Sequence, residues 1–399
     1  MPLDLPALRA HFPSLATGLA FFDGPGGTQT PRPVADAIAA TLTGPLSNRG
    51  TVSPSELNAE RAVADFRAAY ADLLNVPVNG VVHGRSATQL TYDFSRHLAK
   101  QWRPGDEIVL SRLDHDANVR PWVQAAERAD VTVRWIEIDP ETTELDLDSY
   151  ERALTSRTRL VAVTAASNVL GTKPPLRRIA DRAHEIGALV YVDGVHYAAH
   201  HLVDVPTLGA DLFVCSPYKF LGPHCGVLAA APEFLETVRP DKLLPSSDAV
   251  PERFEFGTLP YEILAGATAA VDFLAALDPG AGASRRERLI SSLASVHAHE
   301  GKLRTRLQEG LESLGDAITL HSKAPDRTPT LLMSLGGRDA HAAQEHLAAR
   351  GVVAPAGSFY AYEPFTALKL DDPALRAGLA PYNSADDVDR FLDGLASFL

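Results

Sequence analysis

The sequence predicts an α/β protein, with a large domain built on a mainly parallel sheet followed by a smaller α+β domain. Three observations predict it. Between about residues 60 and 235, short runs of Val, Ile and Leu alternate with helical patterns. Those runs mostly lack period-two alternation, which is how strands buried on both faces read. After residue 279 the pattern changes, as the turn-rich PGAGASRRER (279–288) gives way to a long helical stretch.

The elements follow in order. ERAVADFRAAYADLL (60–74) and ATQLTYDFSRHLAKQW (87–102) place apolar residues at helical spacing. The strand-like runs are EIVLSRL (107–113), VTVRWIEI (131–138), RLVAVTA (159–165), ALVYVDG (188–194), DLFVCS (211–216) and GVLAAA (226–231). The helix-like LRRIADRAHEIG (176–187) is closed by Gly187. In the second part, RLISSLASVHAHEGKLRTRLQEGLESL reads as helix, TPTLLMSL (328–335) as strand and AHAAQEHLAARG (340–351) as helix. This gives a large domain over 21–279 and a small one formed by 280–399 together with 1–20. No repeat at a fixed period is visible.

A chain of 399 residues suggests about two domains, and 45% hydrophobic with 22% charged residues is ordinary for a soluble globular protein. The net charge of −13, with no compensating basic stripe, argues against nucleic-acid binding. The two cysteines, Cys215 and Cys225, build neither a disulfide framework nor a Cys-rich metal site. MPLDLPALRAHFPSLATGLAFF has acidic and proline residues where a signal peptide needs a basic start and an unbroken apolar run. Nowhere do ~20 apolar residues run together as a membrane span would require. The expectation is a cytoplasmic protein with neither nucleic-acid nor membrane partners.

Open α/β sheets bind ligands beyond the carboxyl ends of their strands. The polar residues that follow the apolar runs are therefore the candidates: Gly84, Ser86, His115, Ser167, Asn168, Asp193, His196, Ser216 and Lys219. Lys219 sits in CSPYKFLGPHCG, flanked by aromatic and apolar residues in a Lys-poor chain. There a depressed pKa would make its amine a nucleophile toward aldehydes; the alternative is a solvated surface lysine. Asp193 ends a nearly uninterrupted apolar run, so it either pairs with a cation or caps the next turn. GRSATQL (84–90) opens a helix whose free N–H groups suit a phosphate, although capping alone explains Ser86 equally well. His115 can stack on a planar ring, shuttle a proton or be structural.

Other signals are weak. HAHE (297–300) lacks the i,i+4 spacing of a helical zinc site, so His297, His299 and Glu300 read as a solvated helix face. GPGGT (24–28) has no trailing lysine and is no Walker loop, and His200–His201 reads as surface.

With these residues in place, the sequence resembles the class V aminotransferase family, pyridoxal-phosphate fold type I, and most closely its group II cysteine desulfurases. The likeness runs nearly end to end through LRAHFPSLATGLAFFDGPGGTQTP (8–31), RLDHDANVRPW (112–122), ASNVLGT (166–172), VDGVH (192–196), SPYKFLGP (216–223), RFEFGT (253–258) and RAGLAPYN (376–383). The resemblance implies that Lys219 holds pyridoxal 5'-phosphate as an imine and later moves protons. It implies that Asp193 pairs with the pyridine nitrogen, that His115 stacks on the ring, and that Ser86, the backbone of Ala87 and Ser216 hold the phosphate. Asn168 would face the ring oxygen or the substrate carboxylate, which Arg376 would clamp. Thr258 would reach the phosphate of a neighbouring subunit, which implies a homodimer with shared active sites.

Three departures stand out. Tyr218 replaces the histidine usual before the lysine, and His196 stands where a glutamine is usual; both line the ring's surroundings. The third concerns sulfur: desulfurases carry a catalytic cysteine on a small-domain loop, and the corresponding RGVVAPAGSFYAYEPF (350–365) has none. Cys225 is the nearest replacement and reads chiefly as a small buried hydrophobe.

The resulting expectation is a pyridoxal-phosphate enzyme acting at Cα or Cβ of a small amino acid, foremost a C–S lyase. Desulfurase, aminotransferase and epimerase activities, or a non-catalytic paralogue, stay open. The loops near 24–30, 47–53 and 355–362 are expected to shape the side-chain pocket.

Overall fold

The computed structural model describes residues 3–278, 280, 282–370 and 373–399. The expected domain boundary at 279/280 includes Pro279, which lies outside the described residues. All six expected strands form. They join a seventh in one sheet, in the order Val81–Gly84, Gly226–Ala230, Leu212–Cys215, Leu189–Asp193, Thr158–Thr164, Glu107–Ser111, Thr132–Ile136.

Burial on both faces explains why these runs read as continuous apolar stretches. Ile108, Leu110, Leu160 and Ala162 pack into one core with Phe94 and Trp122, from the helices Ala87–Ala99 and Arg120–Ala129. Their alternates Val109, Val161 and Val163 pack into a second core with Phe66 and Tyr70, from the helix Pro54–Leu74. Successive side chains point to opposite faces of a strand, so helices on both sides demand apolar residues at every position. Each fully buried Val or Leu contributes about 1.5–3 kcal/mol of transfer free energy.

The sheet is parallel except at one place. Gly226–Ala230 runs antiparallel to both of its neighbours. The connection 216–225 is too short for a parallel crossover, which needs a dozen residues or more, so the strand can only return beside its predecessor. The strand Val81–Gly84 is an addition to the sequence reading. Its four residues are too few to register as a run.

A four-stranded antiparallel sheet follows, in the order Ala356–Gly357, Ala374–Gly378, Thr330–Ser334, Thr319–Leu320. Ala20–Phe21 pairs in parallel with Val352–Val353, tying the chain's beginning to this region. The helix Arg285–Glu312 opens on a capping box formed by Ser284 and Glu287. Its Leu289 and Leu293 belong to the core under the large sheet, while Leu303, Leu307 and Leu311 belong to the core under the small one. No helix among the described residues is long and apolar enough to cross a membrane.

Candidate active site

Four parallel strands end at the same edge of the large sheet. Past their carboxyl ends lie His115, Asn168, Asp193 and Lys219, which line one cleft together with Ser86, Ala87, His196, Ser216 and Tyr218. Ten of the eleven site residues expected from sequence are thus at one place or its mouth. The exception is Thr258, which is exposed and lines neither the cleft nor its mouth.

Local turn chemistry sets these side chains. Ser86 caps the helix Ala87–Ala99 by accepting from the Gln89 amide at 3.1 Å. That leaves the amides of the first turn free toward the cleft. Gly226 is what lets this helix start lie against the sheet, since a Cβ there would stand 2.4 Å from the Ser86 carbonyl carbon. His115 Nδ1 accepts from the Ala117 amide at 3.0 Å, and Asp193 Oδ1 from the Val195 amide at 2.9 Å. The capping alternatives for Ser86 and Asp193 are therefore real, and they fix the side chains that face the cleft.

Lys219 closes the short turn Pro217–Lys219 and is 7% exposed, its Nζ donating to the Pro25 carbonyl. Burial, with the nearby Arg376 charge, lowers its pKa to about 7, against a smaller opposing pull from Asp193. Burial raises Asp193 to about 6, and burial together with the Lys219 and Arg376 charges lowers His115 to about 4. The cleft thus holds a lysine close to its neutral form and a carboxyl that gains by meeting a cation.

Arg376 reaches the mouth of the cleft from the four-stranded sheet. It is 3% exposed, and its Nη1 donates to the Asn168 carbonyl at 3.0 Å. Its Nε has no partner, nor have Asn168 Oδ1 and His196 Nδ1, all of them buried. Burial lowers Arg376 to about 9, with Asp23 opposing the shift.

Several site residues had gone unnoticed in the sequence. Thr328 and Thr330 hold His196 Nε2 at 2.9 and 3.0 Å. As expected of the loops 24–30 and 355–362, Pro25, Phe359 and Tyr360 line the mouth; 47–53 does not line it within one chain. Asp116 and Asn168 are tied to that second loop, through the Tyr360 carbonyl at 2.8 Å and the Phe359 carbonyl at 3.0 Å. Glu363 then anchors the loop to Arg120 at 2.7 Å and to Arg112.

One expectation is overturned. Glu300 and His200 are not solvated; they are 1% and 3% exposed and bonded to each other at 2.9 Å. Leu289, Leu293, Val296, Glu300, Leu303 and Leu307 recur every three or four residues, so Glu300 falls on the buried stripe of its helix. The His200 ring lies 5.0 Å from that of His196, in an edge-to-face arrangement.

A buried amine of lowered pKa and a buried carboxyl in one cleft, beside free helix amides, are what an enzyme that works through a bound aldehyde cofactor needs. The chain belongs to the class V aminotransferase family, which it matches over residues 20–391. It is 33% identical to a probable cysteine desulfurase of Pseudomonas aeruginosa, covering 96% of this chain and 95% of that one. It is 31% identical to an aminotransferase-like protein of Gibberella zeae, covering 98% of each. Among solved structures, the Escherichia coli cysteine desulfurase CsdA superposes with a TM-score of 0.87 at 25% identity, over 99% of this chain and 98% of that one. Members of this family use pyridoxal 5'-phosphate, and the partnerless Asn168 Oδ1 and His196 Nδ1 in the cleft fit a polar ring ligand.

Proposed function

We propose that this protein is a pyridoxal-phosphate C–S lyase that eliminates a sulfur substituent from Cβ of an amino acid. The observation that carries this reading is the state of its two cysteines. Both are buried, Cys215 0% and Cys225 2% exposed, and burial pushes the Cys225 thiol up to about 12. A thiol so held is no thiolate near neutral pH and cannot take up sulfur. The loop 350–365 offers Ser358 and Tyr360 in place of a cysteine.

In this reading Ser86, the amides of Ala87 and Thr88, and Ser216 hold the phosphate. Thr258 of a neighbouring copy completes that site in a cytoplasmic homodimer. Asp193 would face the ring nitrogen, His115 and Tyr218 would flank the ring, and His196 and Asn168 would meet its oxygen. The bound cofactor supplies an electron sink for the bond broken at Cα. Lys219 would anchor it covalently, and its Nζ would carry a proton from Cα toward the departing sulfur. Arg376, through Nε and its free Nη2, takes the substrate carboxylate as a fork and so fixes which Cα bond is broken.

The test is an assay of cysteine and S-substituted cysteines with Cys215→Ala/Cys225→Ala protein. Thiol, pyruvate and ammonia released at near-parent rates support the lyase. Activity that disappears with Cys225, together with a persulfide trapped on it in the parent, refutes it and favours a desulfurase.

A further inference from the structure

The mouth of the cleft has a composition that elimination does not require. Its charged residues are all committed. Lys219 and Arg376 serve cofactor and carboxylate, while Arg120 is bonded to Asp116 at 2.8 Å and to Glu363 at 2.7 Å. What remains to face a substrate side chain is mainly aromatic, Tyr92, Phe359 and Tyr360, with the small apolar Pro25 and Ala117 beside them. Tyr92 comes from the helix Ala87–Ala99 and the other two rings from the loop 355–362, where Phe359 packs partly against the core and Tyr360 does not. Tyr360 is 79% exposed, and Phe359 lies with the Arg376 guanidinium 3.8 Å above its ring. Tyr360 is tilted 30° to the His115 ring at 5.6 Å, so one wall of the mouth continues the surface above His115.

A charged side chain entering here would lose hydration and meet no free counter-charge. A flat or bulky apolar one would lie against several ring faces and displace water from them. We infer that the substrate carries an uncharged aromatic or bulky apolar group beyond Cβ. Combined with the proposed elimination, on which this part rests, the substrate is a cysteine thioether of such a group. The reaction balances without any oxidant: R–S–CH2–CH(NH3+)–COO− and water give R–SH, pyruvate and ammonium. The Cβ–S bond breaks, and sulfur leaves with the electron pair and takes up a proton.

Two measurements on the cofactor-loaded protein separate the inference from the elimination reading. The first is binding of L-phenylalanine, L-alanine, L-glutamate and L-lysine, followed through the visible absorption of the cofactor. Phenylalanine is expected to half-saturate at a concentration about tenfold below the other three. The second is thiol release from S-benzyl-, S-carboxymethyl- and S-aminoethyl-L-cysteine, with kcat/KM about tenfold higher for the benzyl compound. Tyr360→Ser and Tyr92→Ser should each shrink the phenylalanine preference. A preference for phenylalanine without thiol release from any conjugate supports the side-chain inference and sinks the lyase. Glutamate or lysine binding as tightly as phenylalanine overturns the inference, as does a preference that neither tyrosine variant moves.

Discussion

Lys219 is a buried amine whose pKa, lowered to about 7, sets when it can react. The free amine is the nucleophile, so lowering the pKa brings that form within reach of neutral pH. Cofactor-free protein should capture pyridoxal 5'-phosphate at a rate that rises from pH 6 and levels above about pH 8. A rate still climbing through pH 9 would mean that the ordinary lysine pKa of 10.5 persists in the site. Borohydride should fix the cofactor to the parent protein and leave nothing reducible on Lys219→Ala. Replacing Asp193 by Asn keeps the bond from the Val195 amide but removes the charge proposed to face the ring nitrogen. Turnover should fall by about 100-fold or more with a smaller loss of cofactor affinity; near-normal turnover would leave Asp193 only its capping role. Residues such as these were legible because each follows a strand-like run. Asp23, Thr328 and Thr330 were not, because their importance comes from packing between distant segments. Glu300 was misread because a single acidic residue interrupts a helical stripe that the spacing of its leucines otherwise betrays.

At the scale of elements, the loop before Glu363 is fastened at several points of the mouth. Glu363 is 3% exposed and lies between the Arg112 and Arg120 guanidiniums. Losing one partner of a buried ion pair costs about 3–5 kcal/mol, and the solvent access of both arginines brings this nearer 2 kcal/mol. Glu363→Gln should therefore lower the melting temperature by several degrees. It should also raise KM and speed amide exchange across 357–363 in mass spectrometry. Unchanged exchange there would show that the carbonyl contacts to Asp116 and Asn168 hold the loop unaided. Strands and helices of the large sheet were readable because burial on both faces leaves a continuous apolar signature. The reversal of Gly226–Ala230 left no mark in composition. Only the shortness of the preceding connection encodes it.

For the molecule as a whole, the segment ending at Thr258 is anchored to its own chain yet lines no part of its own cleft. Arg67 bonds Glu252 at 2.7 Å and Glu255 at 2.6 Å, which pins the segment, while Phe256 beyond it is 47% exposed. Leu244, on a nearby stretch of sequence, is 97% exposed. These features support the proposed dimer, and light scattering should give about twice the 42.8 kDa of one chain. An active species at the single-chain mass would refute a shared site. Sequence alone pointed to this arrangement only through family likeness, since an interface between copies leaves no periodic trace in one chain.

The floor of the cleft belongs to the large sheet, and Arg376, proposed to receive the carboxylate, belongs to the small one. A substrate that meets both would tie the two sheets together across their seam. Its grip is then readable as heat resistance, because a ligand at a hundred times its dissociation constant adds about 2.7 kcal/mol to folding stability. Compounds that fill only the floor forgo the contact with Arg376 and should raise the melting temperature less. A melting curve would thus sort candidate amino acids by whether they span the seam, before any product is known.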